Sequence, residues 1–148
     1  MTGYGEQPMV DPAFVVAHLE CAGKTLLALP HSGFSTLLKT SSLNSEMAAV
    51  SACGWFSGSA AKCPRPTSRA IDAMDNTMMW LWYIPQDMTV LRRCVGARSL
   101  VNPITDKHIY SWRRLGDFMG VDHKTAKRWH ADGVRYIVNA LNCQQVTA

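Results

Sequence analysis

Between Trp112 and Ala131 the chain reads WRRLGDFMGVDHKTAKRWHA. Its basic side chains fall into two groups, Arg113 and Arg114 at the start, and His123, Lys124, Lys127 and Arg128 after the second glycine. Ammonium and guanidinium groups hold phosphate oxygens, and a side chain such as arginine also pairs with O6 and N7 of guanine. On a helix that starts near Asp122, Lys124, Lys127 and Arg128 lie largely on one face, so the chemistry offered is polyanion binding. Arg128 or Lys127 is the candidate for guanine, and His123 for a phosphate or a base edge. Arg113, Arg114 and Thr125 are the candidates for the phosphate backbone.

Catalytic chemistry has no comparable pattern. The chain contains five histidines and eleven carboxylates, but no HExxH, GxSxG or P-loop sequence and no paired Cys–His signature. No catalytic residue, no cofactor and no metal is expected. A zinc set of His18, Cys21, Cys53 and Cys63 is conceivable, yet structural zinc sites usually bring closely spaced pairs at both ends. The five cysteines form no CxxC pair, and their odd, scattered distribution fits reduced thiols that act as small buried hydrophobes.

The elements that must position the basic groups read as a helix-turn-helix. Ser111 caps a first helix in which Leu115 and Met119 face inward and Gly116 allows close approach of a second helix. Gly120 supplies the turn, because it takes a positive φ without a Cβ clash. Val121 fills the gap between the helices, and Asp122 caps the second helix. Ala126 and Trp129 pack back on the first helix, and Trp112 is also assigned to the core.

Charge follows the motif. Residues 1–85 carry five Lys/Arg against six Asp/Glu, whereas residues 86–148 carry ten against five. A chain of 148 residues that is 47% hydrophobic can bury one ordinary core. The longest apolar run, Met78 to Ile84, is too short to span a bilayer, and no export signal is evident, so a cytoplasmic protein without a membrane partner is expected.

Taken in order, 1–10 reads as a loose tail. Asp11 and Pro12 then start a helix to about Leu29, with Val15, Leu19, Ala22, Leu26 and Leu29 as its buried stripe. From Pro30 to about Thr67 the pattern is irregular, with a short helix over 43–50, an aromatic anchor at Trp55 and Phe56, and a basic linker over 62–69. A helix over 68–84 follows, with Ile71, Met74, Met78 and Leu81 inward. It is apolar nearly all round beyond Thr77, which suits a central position or a subunit interface. A helix over 88–97 places Met88, Leu91 and Val95 inward and Arg92, Arg93 and Arg98 on or near the outer face. Residues 99–110 read as a polar surface connector. The last helix, 122–141, continues past the motif through Gly133, Tyr136, Ile137, Ala140 and Leu141.

The run of an apolar helix, a shorter helix, a polar connector and the glycine-turn pair resembles the sigma-factor region 4 type of helix-turn-helix over about half the chain. The segments LECAGKTLLALP, IDAMDNTMMWLWYIP and SWRRLGDFMGVDHKTAKRWHADGVRYIVNALN also resemble a group of small phage and prophage proteins of unknown function. The first resemblance implies major-groove reading of double-stranded DNA and contact with RNA polymerase. The second brings no activity with it.

Together these readings predict an all-α helical bundle, with an N-terminal helix and loop-rich segment over 1–66 and a DNA-binding domain over 67–148. The expected function is transcription regulation by a homodimer joined through the helix over 68–84. The alternatives are a DNA-packaging recognition subunit of the small-terminase kind, and a protein-interaction module in which the motif is only structural.

Overall fold

The computed structural model describes residues 9–29 and 65–147, and these form an all-α fold. The expected helix over 43–50, the aromatic anchor at Trp55 and Phe56 and residues 62–64 of the basic linker lie outside the described residues, and the linker's last two residues, Ser68 and Arg69, are already helical. Cys53 and Cys63 of the conceivable zinc set also lie outside the described residues.

Helix α1 (Pro12–Ala28) starts where the Asp-Pro pair places it, although the Asp11 carboxylate makes no capping hydrogen bond. Val15, Leu19 and Ala22 are buried as their spacing predicts, but at the C-terminal end Leu27 is buried and Leu26 is exposed. Helix α2 (Ser68–Met78) begins with the Thr67 hydroxyl accepting from the Ala70 amide at 3.2 Å.

The predicted helix over 68–84 stops early. Residues Met79–Tyr83 form a 3-10 helix, and Ile84 is extended before Pro85, whose ring disfavours helical backbone in the preceding residue. Arg92 stabilises this ending, because its guanidinium donates to the carbonyls of Leu81 (3.1 Å) and Ile84 (2.6 Å). The two tryptophans, two residues apart, face different ways: Trp80 packs partly buried against the core, while Trp82 is 63% exposed with the Arg92 guanidinium 4.7 Å from its ring centre.

A further 3-10 turn, Gln86–Met88, leads into α3 (Thr89–Ser99). Leu91 and Val95 are buried, but Met88, expected inward, is exposed because it sits in that turn before the helix begins. Arg92 and Arg98 are likewise not surface charges. Both are partly buried donors to backbone carbonyls, Arg98 reaching Tyr110 at 2.7 Å.

Helices α4 (Trp112–Met119) and α5 (His123–Thr147) complete the bundle, α5 running beyond the expected residue 141. The main core joins Val15 and Leu19 of α1 to Ile84, to Leu91 and Val95 of α3, and to Val134, Ile137 and Val138 of α5. Thus the helix of the N-terminal segment belongs to the same core as the elements after residue 67. Burying each such side chain contributes about 1.5–3 kcal/mol before entropy is counted. Gly133 is buried where α5 crosses α3, and a Cβ there would lie 2.5 Å from Val95 Cγ2. That close crossing accounts for glycine within a helix.

The connector between α3 and α4 is more ordered than a plain loop. Val101 and His108 form an isolated antiparallel bridge, and Asn102 Oδ1 accepts from the amides of Ile104 and Thr105. Helix α1 grips it from the side through Lys24–Asp106 (2.7 Å) and Glu20–His108 (3.2 Å). Among the described residues, no helix is long and apolar enough to cross a membrane. Of the cysteines described, Cys94 is the buried one, while Cys21 and Cys143 are exposed, contrary to a uniformly buried role. The Cys94 thiol donates to the Ala126 carbonyl, and burial pushes its pKa up to about 11.

Candidate nucleic-acid interface

The glycine-turn pair is built by local rules. The Ser111 hydroxyl accepts from the Arg114 amide at 3.3 Å and fixes the start of α4. At the other end Gly120 has φ 70°, the left-handed conformation that ends a helix, and its amide bonds back to the Asp117 carbonyl at 3.2 Å. The Val121 amide then reaches the Gly116 carbonyl at 2.9 Å, drawing the turn onto the helix.

Gly116 makes this closeness feasible. A Cβ at that position would stand 2.6 Å from the Val121 carbonyl oxygen and 3.1 Å from the His123 amide nitrogen, both backbone atoms. Gly116→Ala is therefore expected to destabilise the protein by about 1–3 kcal/mol through overpacking, read as a lower urea midpoint. An unchanged midpoint would mean that the turn yields without cost.

A second core cluster holds the two helices together. Leu115 of α4, Ala126 of α5 and Cys94 of α3 are fully buried, with Trp112, Met119, Val121 and Trp129 packed around them. Trp129 also reaches the main core, so the orientation of α5 is fixed along both clusters. Each core role assigned from the sequence to Leu115, Met119, Val121, Ala126, Trp112 and Trp129 agrees with this arrangement.

With Ala126 and Gly133 turned inward, Lys124, Lys127 and Arg128 are exposed, as are Arg113 and Arg114 at the start of α4. The structure thus brings the cations of the first two turns of α5 onto one solvent face. Thr125 and His123 are only partly exposed. His123 Nδ1 lies 3.0 Å from Asp122 Oδ1, so its ring is directed to a carboxylate at the helix start.

Asp122 Oδ2 accepts from the Lys124 amide at 3.2 Å, and that bond is the main reason its carboxyl sits below the ordinary range. An ionised carboxylate at the first turn repels phosphate from the very tip of α5. The exposed cations of this helix, Lys124, Lys127 and Arg128, lie further along. Arg135 is engaged with Asp132 at 3.0 Å, whereas among the described residues no carboxylate lies within ion-pair distance of Lys124, Lys127, Arg128, Arg113 or Arg114.

Sequence periodicity could not show that aromatic rings underlie several of these cations. Lys127 Nζ is 5.7 Å from the Trp112 ring centre, Arg98 Cζ is 4.2 Å from the same ring, and Arg114 Cζ is 6.0 Å from the Tyr110 ring. Arg93, on the outer face of α3, has its Cζ 5.8 Å from the Phe118 ring centre. His130 is partly buried, with its ring edge-on to Trp112 at 5.3 Å. Burial, together with the nearby positive charge of Arg98 and the neighbouring His108, lowers its pKa to about 4. Comparison with protein-family models, curated proteins and solved structures gives no match to this chain.

Proposed function

We propose that this protein binds double-stranded DNA in a sequence-dependent manner, with the first half of α5 in the major groove, and that it regulates transcription. The observation that carries the reading is the single exposed face bearing Lys124, Lys127 and Arg128, which starts directly after a tight glycine turn. The major groove admits one α-helix, and the preceding helix of such a pair crosses the sugar-phosphate backbone. In this arrangement Arg128 or Lys127 reads guanine, and Lys124, Arg113 and Arg114 contact phosphates. His123, engaged with Asp122, and Thr125, partly buried, serve as secondary phosphate contacts.

One helix reads a half-site, so the proposal includes a homodimer. Exposed Met79 and Trp82, within the 68–84 segment, supply apolar surface for it. The resemblance to sigma region 4 adds RNA polymerase as a proposed partner, and the resemblance to small phage and prophage proteins suggests a phage regulatory setting.

The test is selection from random duplex DNA, followed by binding at several salt concentrations with Lys127→Ala and Arg128→Ala. A sequence motif should emerge. A phosphate-contacting side chain should lower the slope of log K against log salt by about one unit when removed, whereas a base-contacting one should relax preference at one position. If no motif emerges and both variants bind like the parent, the base-reading role is wrong and an interaction module is favoured. A ring in sizing experiments would instead favour the packaging-subunit reading.

A further inference from the structure

Trp112 is the first residue of α4, and it touches more of the interface than its place at a helix start requires. The indole packs partly buried against the second core cluster. On α5, His130 meets the ring edge-on with centroids 5.3 Å apart and an interplanar angle of 81°. On α3, Arg98 stands 4.2 Å from the ring centre while its Nη1 donates to the Tyr110 carbonyl, two residues before Trp112. The ring is thus held by three elements, and its orientation is set independently of Lys127.

The Lys127 ammonium lies 5.7 Å from that fixed ring, near the outer edge of cation–π range. A lysine side chain has a flexible four-carbon stem, so a fixed ring beneath it reduces the arrangements open to the free protein. The hold is weak by construction. Arg98 is already at the same ring, and its positive charge repels the ammonium. The weak hold leaves the ammonium open to solvent on its outer side, where a phosphate or guanine can meet it while it stays over the ring.

We infer that Trp112 is a positioning residue that pre-sets Lys127 for DNA, acting through the cation and not by contact with DNA; this rests on the DNA-binding reading above. Pre-organisation raises affinity by lowering the ordering cost at binding. One surface cation–ring contact corresponds to about a two- to fivefold change in affinity.

The test uses the full chain and the duplex obtained by selection. Trp112→Leu and Trp112→Phe are compared in the parent and in the Lys127→Ala background, with thermal unfolding of every variant recorded. The expected result is that Trp112→Leu weakens binding two- to fivefold, Trp112→Phe recovers most of the loss, and neither changes binding once Lys127 is replaced. A merely structural tryptophan would lower Tm and affinity by the same factor in both backgrounds, and that result overturns the inference.

A measurement on the unsubstituted protein does not depend on the variants folding. The indole ring current should move the Lys127 side-chain methylene protons upfield of those of Lys124, and coincident resonances would overturn the placement. If the parent binds no duplex, the DNA-binding reading falls and this role with it. If it binds while Trp112→Leu acts equally in both backgrounds, only the positioning role is lost.

Discussion

Replacing Gly23 by alanine is expected to destabilise the fold by about 3 kcal/mol or more, although alanine is the better helix former by about 1 kcal/mol. Gly23 is buried on α1 where that helix meets the end of α3. A Cβ there would overlap the carbonyl oxygen of Ser99, and it would lie 2.7 Å from the Ser99 carbonyl carbon and 3.3 Å from Leu100 Cα. These are backbone atoms, so no side-chain rotation relieves the overlap. Retreat of the backbone is also opposed: the Leu100 amide bonds to Ala97, the Leu100 carbonyl accepts from Ile109, and the Ser99 hydroxyl bonds to Gly96 at 2.6 Å.

The remaining way out is to move α1. That would strain the Lys24–Asp106 and Glu20–His108 contacts next to Gly23 and open the core at Val15 and Leu19. Thermal unfolding should show a Tm lower by on the order of 10 °C. Ala17→Gly, at an exposed position of the same helix, is the control and should cost only about 1 kcal/mol. A Tm for Gly23→Ala at or above that of the parent would show that α1 is not seated against α3 in this way.

Features set by neighbouring residues were legible in the sequence, and those set by distant contacts were not. Ser111, Gly116, Gly120 and Asp122 act within a few residues of themselves, so the turn and its caps follow from residue type. The exposed face of Lys124, Lys127 and Arg128 follows from helical period once Ala126 is assigned inward. Gly23, by contrast, owes its identity to Ser99, far along the chain, and nothing near Gly23 announces that contact.

Arginines on α3 show the same limit. The spacing of Arg92 and Arg98 suits an outer face, but uncapped carbonyls at Ile84 and Tyr110 draw both guanidinium groups inward. The apolar run over 78–84 suits an α-helix by composition, which does not distinguish α from 3-10 winding; Pro85 and Arg92 decide it. At the candidate site, the Asp122 carboxylate is legible as a cap but not as the partner of the His123 ring. The ring beneath Lys127 depends on the crossing of α4 and α5, which only the fold defines.

Lowering the pH from about 6.5 to about 4 is expected to remove stability through His130, by up to about 3 kcal/mol. The imidazole is held below its ordinary pKa of 6.5, at about 4, first by burial and then by the positive charge of Arg98 and by His108. In the unfolded chain the ring takes up a proton as pH falls through about 6.5; in the folded protein it stays neutral until about 4. Across that window the unfolded state binds more protons, so acid favours unfolding, and below the folded pKa the difference becomes constant. Above about 7 neither state is charged and the ring makes no pH-dependent contribution. Glu20 on α1, which faces the same region and pairs with His108, carries the opposing charge. Urea unfolding at intervals from pH 7.5 to pH 4 should show the decline, and His130→Gln should flatten it while leaving the slope above pH 7 unchanged. An equal decline in that variant would assign the acid sensitivity to other groups. Because His130 adjoins Trp112, its protonation would place a positive charge beside the ring that already holds Arg98 and Lys127. That charge would repel the Lys127 ammonium, so affinity for duplex DNA should become less sensitive to Trp112→Leu below about pH 4 than at neutral pH.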